Sequence, residues 1–178
     1  MARRAETLVP ETTIRLVVTA AFIILLWLLF RILAPVWQPD PNRTFDVVVE
    51  AAGLVADNEP FERQLSLDSR FLYGFLAGEK HILVDGSRQI AKPDEPSCNA
   101  GACLCVCSEG CSRREERYCR SARDVSSFMA DSSLAGLNRG SEKSKGLFYV
   151  ALDGGKERIF CIRGVRSGSS VYFSRCSY

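Results

Sequence analysis

The chain has 178 residues, a formal net charge of +2, 47% hydrophobic residues and 25% charged residues. This length predicts one domain with short additional segments. From Gln38 onward, basic and acidic residues are equal in number, which argues against a nucleic-acid-binding surface because such surfaces need clustered positive charge.

The first distinctive element is an uncharged hydrophobic run between Arg15 and Arg31. With its flanks the run extends from Ile14 to Leu33, and these 20 residues would span about 30 Å as a helix. That length matches the hydrocarbon core of a bilayer. We therefore predict a transmembrane segment over residues 14–34, with the lipid bilayer as the partner of Ile14 to Leu33.

Two other interpretations of this run are a buried core helix and a cleaved signal peptide. Ala34 followed by Pro35 is a poor cleavage site, and the run is longer than a usual signal-peptide core, so an uncleaved signal anchor is favoured. The flanking arginines place the N-terminus inside. Residues 1–13 would then be a short cytoplasmic head, and the C-terminal part would be extracytoplasmic.

Residues 35–43 predict a proline-rich spacer, and residues 44–178 predict a disulfide-rich β-domain. Turn-forming residues separate its candidate strands, which are 44–50, 61–67, 70–76, 80–84, 87–91, 102–107 and 124–130. Residues 115–123 could form a short helix. Residues 132–146, rich in Ser, Gly and Lys, predict a mobile loop.

The last third predicts a three-stranded meander. Residues 147–152 and 157–165 flank Gly154 and Gly155, which suit a hairpin turn, and a second turn at 167–170 leads to residues 171–176. With the second turn centred on 168–169, Cys161 faces Cys176 at a distance that suits a disulfide. Many short strands predict an all-β domain, either a sandwich or jelly-roll-like, and α+β is the alternative.

Eight cysteines follow the hydrophobic run, and six of them lie between Cys98 and Cys119. An even number in an oxidising compartment predicts four disulfides. Beyond Cys161 with Cys176, the pairing of the other six stays open. Cysteines 103, 105 and 107 alternate as on one face of a strand, about 6.6–7 Å apart, so we expect them to pair outward with different segments.

A metal site is the alternative interpretation of this cluster, because closely spaced thiolates suit zinc, copper(I) or iron–sulfur centres. Its ligands would be drawn from Cys98, Cys103, Cys105, Cys107, Cys111 and Cys119. The C-x-x-C spacing of zinc sites and of redox-active pairs is absent, however, and the single histidine, His81, is distant in sequence. We therefore predict neither a metal nor another cofactor.

No catalytic constellation is recognisable, so we expect the chain not to be an enzyme. His81 fits a surface position in a strand. The densest basic stretch fits a solvated or salt-bridged face, or else contact with anionic headgroups or another polyanion; it contains Arg113, Arg114, Arg117, Arg120 and Arg123.

The expected function is that of a single-pass, membrane-anchored structural or partner-binding domain whose partner is a protein or a glycan. One alternative is a membrane-tethered thiol-redox or metal-handling protein that uses the Cys98 to Cys119 cluster. Another is an accessory subunit of a larger membrane complex. The sequence leaves the partner and the oligomeric state open.

Overall fold

The computed structural model describes residues 11–33, 40–155 and 159–177. The chain divides into two compact units, Met1–Pro39 and Asp40–Tyr178. The predicted head up to residue 10, and most of the predicted spacer, lie outside the described residues.

The first unit contains one long helix, α1 (Glu11–Leu33). Its segment Thr13–Arg31 is long and apolar enough to cross a membrane, and its side chains are exposed rather than packed in a core. The guanidinium of Arg31 lies 4.7 Å from the ring centroid of Trp27. An exposed, uniformly apolar helix contradicts the buried-core interpretation, because a core helix would be covered by its own domain.

The second unit begins with a helix, α2 (Pro41–Leu54), where the sequence predicts a strand at residues 44–50. The Asp40 side chain accepts a hydrogen bond from the Asn42 N–H, and Pro41 occupies the first turn, so the N-terminus is capped. Four buried side chains recur with helical spacing: Phe45, Val48, Val49 and Ala52. The strand prediction was wrong because local β-propensity was outweighed by this cap and periodicity.

In the described part of the chain, twelve strands and one further short helix follow. They are β1 (Pro60–Ser66), β2 (Phe71–Phe75), β3 (His81–Val84), β4 (Arg88–Ala91), α3 (Pro96–Asn99), β5 (Cys103–Cys107), β6 (Tyr118–Arg120), β7 (Ser127–Asp131), β8 (Glu142–Ser144), β9 (Leu147–Tyr149), β10 (Ala151–Asp153), β11 (Ile159–Ser167) and β12 (Ser170–Arg175). The strands form a six-stranded sheet in the order β1-β11-β12-β7-β9-β8, a four-stranded sheet in the order β10-β2-β5-β6, and the hairpin β3–β4.

The domain is strand-rich, but it is not all-β, because α2 packs into the main core. The large sheet is also mixed, since β12 pairs with β7 in parallel while its other pairs are antiparallel. These two features favour the α+β alternative over a purely antiparallel sandwich or jelly roll.

The predicted meander is half present. The turn at residues 167–170 joins β11 to β12, with Arg163 opposite Ser174 as the predicted register requires. The first predicted hairpin is wrong, because β10 pairs with β2 and β11 pairs with β1. The single strand expected at 147–152 is divided at Val150 between the two larger sheets.

Two other local predictions need correction. Residues 115–123 do not form one helix; a short 3-10 turn over Arg114–Glu116 is followed by β6. Residues 132–146 do not form one irregular loop, because they contain the 3-10 turn Ser132–Leu134 and the strand β8. In both places the structure uses elements of three residues, which are too short to leave a periodic pattern in the sequence.

Two hydrophobic clusters lie on the two sides of β5. The first holds the buried side of α2 together with Leu104, Val106 and residues from both larger sheets. The second holds the cysteines of β5 with the hairpin residues Ile82 and Ile90. Consequently β5 is buried at all five positions, which is typical of a strand covered on both faces.

Candidate functional site

The cysteine-bearing face of β5 is the most distinctive part of the domain. Alternate positions of the strand form disulfides with three different segments, as the side-chain period of a strand requires. Cys103 is bonded to Cys98 in α3, Cys105 to Cys119 in β6, and Cys107 to Cys111 in the following loop. A fourth disulfide joins Cys161 and Cys176, whose Cα atoms are 5.6 Å apart.

An aromatic row on β2 runs beside these cysteines. In the antiparallel pairing of β2 with β5, Phe71 lies opposite Cys107, Tyr73 opposite Cys105, and Phe75 opposite Cys103. The rings of Phe71 and Tyr73 stack with centroids 5.7 Å apart. Cross-strand pairs share a face of the sheet, so the disulfides are flanked by large apolar side chains that exclude water.

Tyr73 also fixes the loop that closes this face. The backbone N–H of Gly110 donates to the Tyr73 hydroxyl oxygen at 3.3 Å, within the loop bridged by Cys107 and Cys111. Burial raises the pKa of the Tyr73 phenol above its ordinary value, and the hydrogen bond from Gly110 opposes this effect. At neutral pH the phenol is therefore uncharged, which suits its buried position.

Helix α3 places Cys98 over β5. The backbone N–H groups of Cys98 and Asn99 both donate to the carbonyl of Glu95 at 2.9 Å. The Glu95 carboxylate pairs with Arg117 at 2.5 Å, and both side chains are mostly buried. This ion pair connects the start of α3 to the segment just before β6, so it holds together the two segments that supply Cys98 and Cys119.

Two of the disulfides touch each other. The Sγ atoms of Cys98 and Cys105 are 3.7 Å apart although each is bonded to a different partner. All four residues of the two bonds are buried, with Cys119 the most exposed at 3%. The sulfur atoms of Cys98, Cys103 and Cys105 lie within 4.8 Å of one another.

The close approach of the Cys98, Cys103 and Cys105 sulfur atoms is also relevant to the alternative prediction of a metal site. Metal-binding sites of this kind use thiolates, whereas the described cysteines are all in disulfides and include no free thiol. A second grouping, Glu62 with Cys161 and Cys176, has the same limitation because its two cysteines are bonded to each other. In this oxidised state, neither group offers the ligands that zinc or copper(I) prefers.

A cavity of about 530 Å³ lies next to Cys98. Its lining includes Lys80, Lys92, Glu79 and Asp94, so positive and negative side chains balance. The Lys92 ammonium donates to the carbonyl oxygens of Leu76 at 3.1 Å and Gly101 at 2.6 Å, and burial lowers its pKa. Sequence analysis did not predict this cavity, because its walls come from separate turns.

The other residues singled out in the sequence are His81 and the arginines of the basic stretch, and they lie at exposed or salt-bridged positions. His81 is exposed in β3, opposite Ala91. Within the basic stretch, Arg113 pairs with Glu116, Arg117 with Glu95 and Arg120 with Asp46. These pairs favour the salt-bridged interpretation over a polyanion-binding surface, because three of the five positive charges already have acidic partners.

A groove of about 390 Å³ lies between α2 and the segment around β6. Two acidic residues, two arginines and several apolar side chains line it; they include Asp46, Glu50, Arg120, Arg123, Val49, Leu54 and Ala122. Leu54 is 70% exposed. Sequence analysis missed this groove because residues 44–50 were expected to form a strand.

Comparisons with known protein families, with curated proteins and with solved structures give no match for this chain. Its functional interpretation therefore depends on the geometry described above.

Proposed function

We propose that this chain is a membrane-tethered binding module whose disulfide-bridged domain acts outside the cytoplasm. The observation that carries the proposal is the pairing of all eight cysteines in four bonds. Disulfides persist in secreted and extracytoplasmic proteins and are rare in the cytosol. The exposed apolar helix α1 supplies a means of attachment to a bilayer.

The proposed orientation has the N-terminus in the cytoplasm. Three arginines precede the apolar core and two follow it, at positions 3, 4, 15, 31 and 43. Positive charge near a spanning helix favours the cytoplasmic side. In this orientation the domain from Asp40 onward is translocated, and its cysteines meet an oxidising environment.

The proposed binding surface is the groove between α2 and β6, and its proposed partner is a protein. Exposed Leu54 and neighbouring apolar side chains are surrounded by charges of both signs, an arrangement typical of protein interfaces. The residues that line the groove include no aromatic side chain that could stack on a sugar ring. This composition favours a protein over a glycan.

Membrane attachment and orientation can be tested with two fusions after Tyr178. Alkaline phosphatase is active only after export, and green fluorescent protein is expected to fluoresce only on the cytoplasmic side. We expect phosphatase activity without fluorescence, and the reverse result would contradict the proposal.

Replacing Leu25 and Leu26 by arginine should release the chain from alkaline-washed membranes, because each charge is costly in lipid. The control Leu54→Arg should stay membrane-bound.

The binding surface can be tested by photo-crosslinking of the full-length chain in its native membranes. A photoreactive amino acid at position 54 should give a discrete protein adduct that Arg120→Glu abolishes. The same probe at Ile159, which is 46% exposed, serves as the control position outside the groove and should give no such adduct. Equal adducts from both positions would reject the groove as the binding surface.

A further inference from the structure

The contact between two disulfides gives this domain a potential chemical property beyond partner binding. A thiolate exchanges with a disulfide when it can approach one of the two bonded sulfurs. Here Cys98 Sγ already lies 3.7 Å from Cys105 Sγ, which belongs to the neighbouring bond. Opening the bond between Cys98 and Cys103 would therefore place a nucleophile beside a second disulfide.

We infer that these two disulfides form a thiol–disulfide exchange relay that passes a free thiol from Cys98 to Cys119. A dithiol reductant first opens the bond between Cys98 and Cys103 and becomes a disulfide itself, giving two thiols. The Cys98 thiolate then attacks Cys105, a bond forms between these two sulfurs, and the bond between Cys105 and Cys119 breaks. The electron pair of that bond leaves on Cys119, which takes up a proton. The second step involves no net oxidation or reduction.

The relay has different surroundings at its two ends. Cys98 lines the same cavity as Lys80 and Lys92, which is large enough for a small dithiol. The Cys98 side chain is itself fully buried, so the dithiol reaches the bond when α3 opens locally. Its lining carries charges of both signs, so an uncharged reagent meets no strong electrostatic barrier. Cys119 lies in β6, at the edge of the four-stranded sheet. Exchange therefore moves the reactive thiol from α3 to the edge strand β6, and both positions are buried.

Exchange should stay within these two bonds, because Cys98, Cys103 and Cys105 have sulfur atoms within 4.8 Å of one another and neither Cys107 nor Cys111 belongs to this group. Cys105 and Cys119 face each other directly across β5 and β6, which fixes the second bond in place. The ion pair of Glu95 with Arg117 holds the segments that carry Cys98 and Cys119. Holding reacting groups in contact replaces a collision between molecules by a step within one molecule, which accelerates it greatly.

The first test uses the variant Cys103→Ser in the full-length chain in detergent. This variant has one free thiol, at Cys98, without any added reductant. After equilibration at pH 8, the sample is unfolded in mildly acidic denaturant, which stops exchange by protonating thiolates, and its thiols are labelled with N-ethylmaleimide. Peptide mapping by mass spectrometry should find label on Cys119 as well as on Cys98.

The matched control is Cys161→Ser, which leaves Cys176 free. Within the described residues Cys176 has no cysteine sulfur beside it other than that of Cys161, its disulfide partner in the unmodified chain, so its label should remain on Cys176. Label confined to Cys98 in Cys103→Ser would overturn the relay. Label spread over Cys107 and Cys111 would also overturn it, because that result indicates general scrambling.

A second test uses the unmodified sequence, and it decides the question if Cys103→Ser fails to fold. Brief treatment with limiting dithiothreitol should yield molecules labelled at Cys103 and Cys119, with Cys98 and Cys105 joined. Molecules labelled only as the original pairs, Cys98 with Cys103 or Cys105 with Cys119, would show independent reduction and overturn the relay.

Discussion

The two faces of β5 illustrate two ways of stabilising one strand. On one face, Leu104 and Val106 pack against α2 and against strands from both larger sheets. On the other face, three cysteines are bonded to residues only 4 to 14 positions away in sequence. The first face depends on non-covalent contacts between distant segments, and the second depends on covalent bonds between near ones.

The two faces are therefore expected to contribute differently to global stability and to local order. A disulfide stabilises mainly by restricting the unfolded chain, and a shorter loop gives it less entropy to remove. Burial of an aliphatic side chain acts on the folded state and depends on the whole core. We therefore expect the aliphatic face to dominate global stability and the cysteine face to fix the conformation of local loops.

Leu104→Ala should destabilise the domain more than any other substitution considered below. Leu104 is fully buried, so its truncation removes apolar contacts and leaves a cavity, lowering the free energy of unfolding by about 2–5 kcal/mol. The matched control Leu54→Ala changes a side chain that is 70% exposed and should alter stability by less than about 0.5 kcal/mol. Urea unfolding of the full-length chain in nonionic detergent, followed by near-ultraviolet circular dichroism, measures both. Equal losses would contradict the assigned burial.

The next effect concerns the disulfides themselves. Removing the bond between Cys105 and Cys119, which are 14 residues apart, by double alanine substitution should cost about 3 kcal/mol. Removing the bond between Cys107 and Cys111, which are 4 residues apart, should cost about 2 kcal/mol by the same loop-entropy relation. Urea unfolding again measures both variants. A larger loss for the shorter loop would show that packing, rather than chain entropy, governs this face.

A smaller effect is expected from Gly164→Ala in β11. A Cβ at this position would collide with the ring of Phe61 on β1, so this buried ring would have to move within the core. Overpacking of this kind costs about 1–3 kcal/mol. Gly136→Ala is the matched control, because a Cβ there meets nothing within 4 Å. Thermal unfolding should separate the two variants, and similar melting temperatures would contradict the close approach of Phe61.

Tyr73 should make a still smaller contribution, which appears as a dependence of stability on alkaline pH. Burial raises its pKa above 10.0 in the folded state, so its contribution to stability is complete below pH 10 and is lost as pH rises through the folded pKa. Tyr73→Phe should remove this contribution. Phenolate absorbance during alkaline titration should show one late-ionising tyrosine fewer in the variant. A difference that titrates below pH 10 would contradict the raised pKa.

Much of the strand pattern could be predicted from the sequence, because turn-forming residues separate alternating apolar runs. The row of cysteines on β5 was predictable for the same reason, since alternation alone places Cys103, Cys105 and Cys107 on one face. The turn between β11 and β12 also followed from the sequence, because Gly168 and Ser169 suit a two-residue turn and a turn at these positions sets the register of the flanking strands.

Helix α2 was missed although its signals are present. Asp40 and Pro41 suit a helix start, and Phe45, Val48, Val49 and Ala52 have helical spacing, but the three consecutive valines resemble a strand more strongly. The division of residues 147–152 into β9 and β10 could not be predicted, because each half pairs with strands of a different sheet that are distant in sequence. The sulfur contact between Cys98 and Cys105 was equally hidden, since it requires α3 to fold over β5.

The pairing of β1 with β11 has a consequence for biosynthesis. The strand that emerges first from the ribosome finds its hydrogen-bonding neighbour about one hundred positions later, with Pro60 opposite Val165. Until that late segment arrives, β1 would expose an unpaired edge that other chains could join. Premature stop codons before β11 should therefore yield aggregation-prone fragments. Such fragments would aggregate even though they contain both partners of all three disulfides within residues 98–119.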